Sequence, residues 1–395
     1  MDGVVVLREG EKDQIVDLEL AKVLQNFGVC QVQLTSEGLL RASNFSKVGF
    51  IRSGDSLIRI EPKISIRKVL QLISPNLEDV QILSEPVEIS ESDDWTNALT
   101  EFFLSASTAA LALGPLHGYR EVSEAANLVK GRIDFSRQLK RNPGRPIPIE
   151  IDFDEFSPDI PENRIILTAL QVLLTRFPLE TTQRNRLFKL QYVLAAVTPI
   201  EHHKTIPTVK LTSLNNHYGP ALRISELILG FQGLDTDFGE TSANSFLLDM
   251  EKIFEKYLEN RFSSLTEAGS QIFRAQGSGE SLDRGGLVGI RPDYLWFEGG
   301  NVTGVADAKY KVFSTKASVP NDDVYQMVTY CTRYGLDQGY LIYASSPSFS
   351  IDVEGSAITI EVRGVDLSLE LPEIEEQITA LLDEILYNKV ASQIG

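Results

Sequence analysis

Two acids and a lysine in the C-terminal third, Asp293, Asp307 and Lys309, have the types and spacing to hydrolyse a phosphodiester. Hard oxygen ligands such as a pair of carboxylates hold Mg²⁺, which polarises a phosphate and acidifies bound water. An ammonium beside that ion can orient or deprotonate the attacking water and neutralise developing charge. For the three groups to meet, the chain between them must fold back. Phe297-Glu298-Gly299-Gly300-Asn301-Val302 reads as the turn of a hairpin. With Gly299, Gly300 and Asn301 as a three-residue loop, Glu298 pairs with Val302, and counting back sets Asp293 opposite Asp307. Side chains alternate along a strand, so Lys309 shares that face and Ala308 points away. A two-residue loop without a bulge sends the two carboxylates to opposite faces. The plainer reading is a solvated hairpin carrying ordinary charges; its apolar flanks, Ile290, Val305 and Ala306, count against it.

Two helices are placed to complete the site. A helix over 323–334 starts with acids, stops at Gly335, and sets Gln326 and Tyr330 four residues apart on one face. Gln326 there can support the lysine or contact phosphate; the alternative is a polar helix face with Tyr330 packed inside. An earlier helix over 246–262, with Ser245 as its cap, carries Glu251, Glu255 and Glu259 as a stripe. Such a stripe is ordinarily a solvated face, but Glu255 is the candidate for a third metal ligand. Strands over 272–274, 287–297, 302–312, 339–344 and 358–365 and a last helix over 374–386 complete an α/β core with a mixed sheet.

The elements upstream follow another grammar. Residues 1–90 alternate in the manner of strands, with helices near 13–27 and 66–73, and read as a β-rich domain. Residues 91–240 form a mainly helical middle domain, with helices over 94–113, from Pro161 onward, over 184–197 and over 221–229. An irregular basic stretch runs to Pro148 between them. Residues 231–242, rich in Gly, Thr, Ser and Asp, read as a linker, and 241–395 as the third domain. The expected class is α+β and multidomain.

Composition narrows the function. The formal net charge of −18 opposes nucleic-acid binding by the chain as a whole. The exception is a basic strip of Lys130, Arg132, Arg137, Lys140, Arg141 and Arg145, set against the single acid Asp134. Two cysteines, Cys30 and Cys331, make neither a disulfide framework nor a zinc cluster. His202 and His203 are adjacent while His117 and His217 stand alone, which is no metal-ligand spacing. No basic-then-apolar leader opens the chain and no apolar run spans a bilayer, so a cytoplasmic protein without a membrane partner is expected. A G-x-x-x-x-G-K-[ST] loop is absent, so nucleotide hydrolysis by a P-loop would have to come from another chain.

The Pro292-Asp293…Asp307-Ala308-Lys309 pattern resembles the PD-(D/E)xK nuclease superfamily. Beyond it, the stretches 58–64, 118–122, 131–135, 153–156, 159–164, 216–218 and 246–250, with Phe254-Glu255 and Tyr325-Gln326-Met327, resemble the McrC-like nuclease subunits of McrBC modification-dependent restriction systems. The resemblance implies an N-terminal region that engages a hexameric McrB-like AAA+ GTPase ring and stimulates it. It also implies cleavage of double-stranded DNA after the partner recognises methylated cytosine. By the same resemblance Asp293 and Asp307 are ligands of Mg²⁺, with Mn²⁺ able to substitute, and Lys309 is the catalytic lysine. Glu255 and Gln326 join them as a further ligand and a further catalytic residue. The competing expectation is a catalytically inert assembly factor that activates the same ring.

Overall fold

A computed structural model describes residues 4–11, 14–53, 56–73, 95–177, 179–201, 206–230, 245–266, 272–277, 280–311, 319–345 and 348–387. The expected linker over 231–242 and the pair His202-His203 lie outside them. Contacts divide the chain into two compact units, one of residues 1–73 with 245–395 and the other of residues 74–244. Sequence reading drew three domains; the difference is that the first 73 residues share a unit with the C-terminal region.

The reason is a strand where a helix was expected. Ser245–Asp249 is extended and pairs antiparallel with Lys47–Ser53, Leu248 opposite Val48 and Asp249 opposite Lys47. Only then does the helix Met250–Thr266 begin, with the Asp249 carboxylate accepting the Lys252 backbone N–H at 3.2 Å. A four-stranded sheet results, in which Val4–Arg8 runs parallel to Ser56–Glu61 and Lys47–Ser53 joins the latter to Ser245–Asp249. Beside it, Gln14–Val16, Leu40–Ser43 and Gln31–Leu34 make a three-stranded sheet, and Asp17 caps the helix Leu18–Asn26.

The larger sheet of this unit has six strands in the order Ile272–Ala275, Tyr294–Glu298, Asn301–Lys309, Gln338–Tyr343, Thr359–Gly364, Phe349–Asp352. Asn301–Lys309, Gln338–Tyr343 and Thr359–Gly364 are mutually parallel and the outer pairings antiparallel, which is the mixed sheet expected. The strand expected over 287–297 is interrupted at Arg291-Pro292-Asp293, where proline cannot donate to a ladder. Alternation sorts the two faces. Leu295, Val305, Leu341, Tyr343, Ile360 and Val362 pack with Met327, Tyr330 and Cys331 of the helix Asn321–Tyr334. On the other face, Phe262 of the Met250–Thr266 helix meets Tyr294 and Trp296 edge-on, both at 5.3 Å. Gly339 admits the Asn321–Tyr334 helix to the sheet: a Cβ there would lie 2.5 Å from Met327 Sδ and 2.6 Å from Cys331 Sγ.

The second unit is helical at its core and carries a ribbon the sequence reading left as irregular. Trp95–Ala110, Pro161–Arg176, Thr181–Val193 and Gly219–Gly230 bury Phe103, Leu170, Leu173, Leu187 and Ile224 together. Gly118–Ala126 pairs antiparallel along its whole length with Ile149–Ser157, and Arg132–Ile133 adds to the latter's other edge. The inward positions of this ribbon are shared between apolar groups and charged ones such as Arg120, so no clean apolar alternation marks it. Three of the stretches noted for their family resemblance meet here. Asp159 accepts from the Arg120 and Arg164 guanidinia, and Asn163 accepts from the Tyr218 hydroxyl at 3.1 Å. Their role is architectural.

Candidate active site

The hairpin turn is tighter than expected. Glu298 pairs with Asn301, so the loop is Gly299-Gly300 alone, and both glycines have the positive φ, 57° and 86°, that such a two-residue turn requires. By itself this turn would put Asp293 and Asp307 on opposite faces. A bulge corrects it: Phe297 pairs with Val302 but Trp296 with Gly304, leaving Thr303 as the extra residue. Tyr294 then lies opposite Ala306. One step further along both chains, Asp293 and Asp307 meet in the register expected, reached by a different turn.

The contacts bear this out. Asp307 is 1% exposed, and Lys309 Nζ touches its Oδ2 as an ion pair. Asp293 Oδ2 accepts the Ala308 backbone N–H at 2.8 Å, which holds the first carboxylate against the middle of the Asp-Ala-Lys run. Both acids and Lys309 fall, by alternation, on the face covered by the Asn321–Tyr334 helix, and Gln326 comes from there: Lys309 Nζ donates to Gln326 Oε1 at 3.1 Å. Gln326 Nε2 donates to the Tyr330 hydroxyl at 2.8 Å, and that hydroxyl to the Arg291 carbonyl at 3.1 Å. The chain of bonds therefore runs from the lysine back to the segment that presents Asp293. Tyr330 is buried and takes part in it, so the two alternatives weighed for it hold together.

Electrostatics follow from crowding. Burial, and then the neighbouring Asp307 charge, push the Asp293 carboxyl well above the usual carboxylate range. Burial and the charges of Glu251 and Asp307 raise Glu255 as well. Burial opposes the Lys309 charge, but Asp307 outweighs it and leaves the ammonium more firmly protonated than usual. Asp323 was legible only as an acid at a helix start. It is 5% exposed, accepts Lys311 Nζ at 3.0 Å on each oxygen, and accepts the Tyr343 hydroxyl at 2.7 Å. That bracket fixes the beginning of the helix that brings Gln326. Nothing in the sequence distinguishes Asp323 from its exposed neighbour Asp322.

Does a divalent cation suit these residues? Asp293, Asp307 and Glu255 act on one another as like charges, and among them only Lys309 supplies an opposing one. Such a surplus of hard oxygen donors favours a divalent ion. Mg²⁺ is commonly held by one or two carboxylates, with water and phosphate completing its octahedron. Among the described residues, no three His, Cys, Asp or Glu side chains are gathered as a ready cage. Glu255 stands on the helix covering the opposite face, its carbonyl accepting the Tyr294 hydroxyl at 2.7 Å, and its charge adds to that of the aspartates. The fit is therefore to the two aspartates.

The basic strip is divided in its roles. Arg137 is committed internally: its guanidinium meets Asp134 at 3.2 Å, Glu150 at 2.8 Å and Asp152 at 2.6 Å. Arg141 reaches Glu150 at 3.7 Å from an exposed position, and Lys130 lies 3.9 Å over the Phe153 ring. Arg132, Lys140 and Arg145 are exposed. His117 bonds the Pro115 carbonyl through Nδ1 at 2.9 Å, and His217 packs edge-on against Tyr218. Among the described residues no helix is long and apolar enough to cross a membrane.

A chain in the refined half-complex of the tetradecameric assembly of Thermococcus gammatolerans McrB AAA+ hexamers with bound McrC is similar in fold. It superposes with a TM-score of 0.55 at 17% identity, covering 97% of this chain and 100% of that one. A chain of the cryo-EM Thermococcus gammatolerans McrBC complex also matches, at 16% identity and a TM-score of 0.39 over 69% of this chain and 90% of that one. Among curated proteins none matches by sequence. The sequence profile that does match, over residues 40–344, defines the class as a restriction-system component. The chain belongs to the McrBC 5-methylcytosine restriction system component family.

Proposed function

We propose that the chain is the Mg²⁺-dependent DNA endonuclease subunit of such a system, working with a McrB-like AAA+ GTPase ring to cut methylcytosine-containing DNA. The observation that carries this reading is the meeting of Asp293, Asp307 and Lys309 on one face of a bulged hairpin. Asp293 and Asp307 would hold the ion. When bound, it supplies a polarised phosphate and a more acidic water. Lys309, kept charged by Asp307 and aimed by Gln326, orients the water or neutralises charge on the phosphate. The remaining assignments rest on the family resemblance for the ring and on charge for the basic strip. The ring partner is the one seen with the fold's solved neighbour, the β-rich N-terminal region meets it, and the exposed members of the basic strip touch DNA.

The second reading, an inert activator of the ring, shares the same partner and differs only in the chemistry. One substitution separates the two. With Asp307→Ala, cleavage of methylated plasmid in the presence of the partner is expected to disappear while stimulation of its GTPase persists. Cleavage that survives the substitution would remove these residues from the chemistry.

A further inference from the structure

The Glu61-Pro62-Lys63 run is part of the family resemblance, yet the cleavage site makes no use of it. Its place in the fold supplies a use. Glu9 and Tyr310 are both 9% exposed, and the Tyr310 hydroxyl donates to Glu9 Oε2 at 3.3 Å. The Lys63 backbone N–H donates to the same oxygen at 3.1 Å, and Lys63 Nζ lies 3.6 Å from the centre of the Tyr310 ring. The Glu9 backbone N–H in turn donates to the Glu61 carbonyl at 2.8 Å, continuing the parallel pairing of Val4–Arg8 with Ser56–Glu61. Phe254, the neighbour of Glu255, completes the enclosure, its ring 6.2 Å from that of Tyr310.

Tyr310 directly follows Lys309, so whatever fixes its ring and hydroxyl fixes the end of the strand that presents the lysine. Stability alone is a poor reason for this arrangement. Burial holds the Glu9 carboxyl protonated more readily than usual and pulls the Lys63 ammonium down to about 8, each only partly relieved by the other. Apolar residues of similar volume would pack without that cost, so what the two charged groups add here is the geometry they impose on Tyr310. The cation over the ring and the carboxylate at the hydroxyl restrain Tyr310 at two points.

We propose that Glu9 and Lys63 are positioning residues for Lys309: acting through Tyr310, they make the geometry of the cleavage site depend on the two N-terminal strands. The inference rests on the nuclease reading. Its test uses the full chain and two measurements, amide hydrogen exchange over 307–310 in the protein alone, and cleavage of methylated plasmid with Mg²⁺ and the host's McrB-type GTPase. Lys63→Ala is expected to speed that exchange and lower kcat roughly tenfold or more, with KM for DNA little changed. Lys63→Arg, which keeps a cation over the ring, should restore both. The isosteric Glu9→Gln should shift both in the same direction as Lys63→Ala. Unchanged exchange and kcat in Lys63→Ala would overturn the proposal; so would a loss that tracks a fall in melting temperature and is not recovered by Lys63→Arg. If the unaltered protein does not cut and exchange still rises in Lys63→Ala with rescue by arginine, the nuclease reading fails while the restraint on the strand stands.

Discussion

Asp293 is where the site and the proton compete. Its folded-state carboxyl is raised well above the ordinary value of about 4, so the folded protein binds a proton there that the unfolded chain releases. A raised acid contributes stability at low pH that is lost as pH climbs through the folded value. Thermal melts in chelator are therefore expected to show a decline from mildly acidic to mildly alkaline pH that flattens in Asp293→Asn. A divalent ion needs the deprotonated form, so Mg²⁺ affinity by calorimetry should strengthen over the same interval. Equal affinity at both ends would mean that Asp293 is not a ligand. Gln326 belongs to the same scale. Gln326→Leu removes the acceptor that aims Lys309, and a loss of roughly 10- to 100-fold in kcat is expected, read by plasmid cleavage.

The hairpin and the helix that covers it decide whether those side chains meet. Gly339→Ala places a methyl against Met327 and Cys331, so the helix must back away from the sheet and take Gln326 with it. Overpacking of this kind costs about 1–3 kcal/mol, measurable by denaturant titration, and should weaken cleavage beyond what the stability loss explains. Much of this level was legible beforehand. The alternation of the hairpin, the glycine stop at Gly335 and the period of the covering helix all gave correct elements. The turn was not, because Gly-Gly-Asn suits a loop of either two or three residues and a bulge at Thr303 leaves no mark in a sequence. Ser245–Asp249 misled for a related reason. Phe246 and Leu247 also fit the apolar period of the helix that follows, and only the distant edge of Lys47–Ser53 makes the segment a strand. Asp323 shows the same limit: charge can be read locally, burial cannot.

At the scale of the molecule, an acidic chain meets an acidic polymer. With a net charge of −18, the isolated protein should bind DNA weakly and only at low salt. Lys140→Glu combined with Arg145→Glu is expected to weaken that binding and to reduce the slope of log K against log salt by about 2, in a fluorescence titration. Arg137→Ala should instead lower the melting temperature, because it leaves Glu150 and Asp152 without their counter-charge. The pairing of Ser245–Asp249 with Lys47–Ser53 has a further consequence, for synthesis. During translation, the strand near the start of the chain waits with an open edge while some two hundred residues emerge, and its unit closes only when the last third is delivered. The intervening unit is continuous in sequence and free to settle first. A fragment beginning at residue 245 would be born without its neighbour strand, and the C-terminal region of this protein should be hardest to obtain as a separate piece.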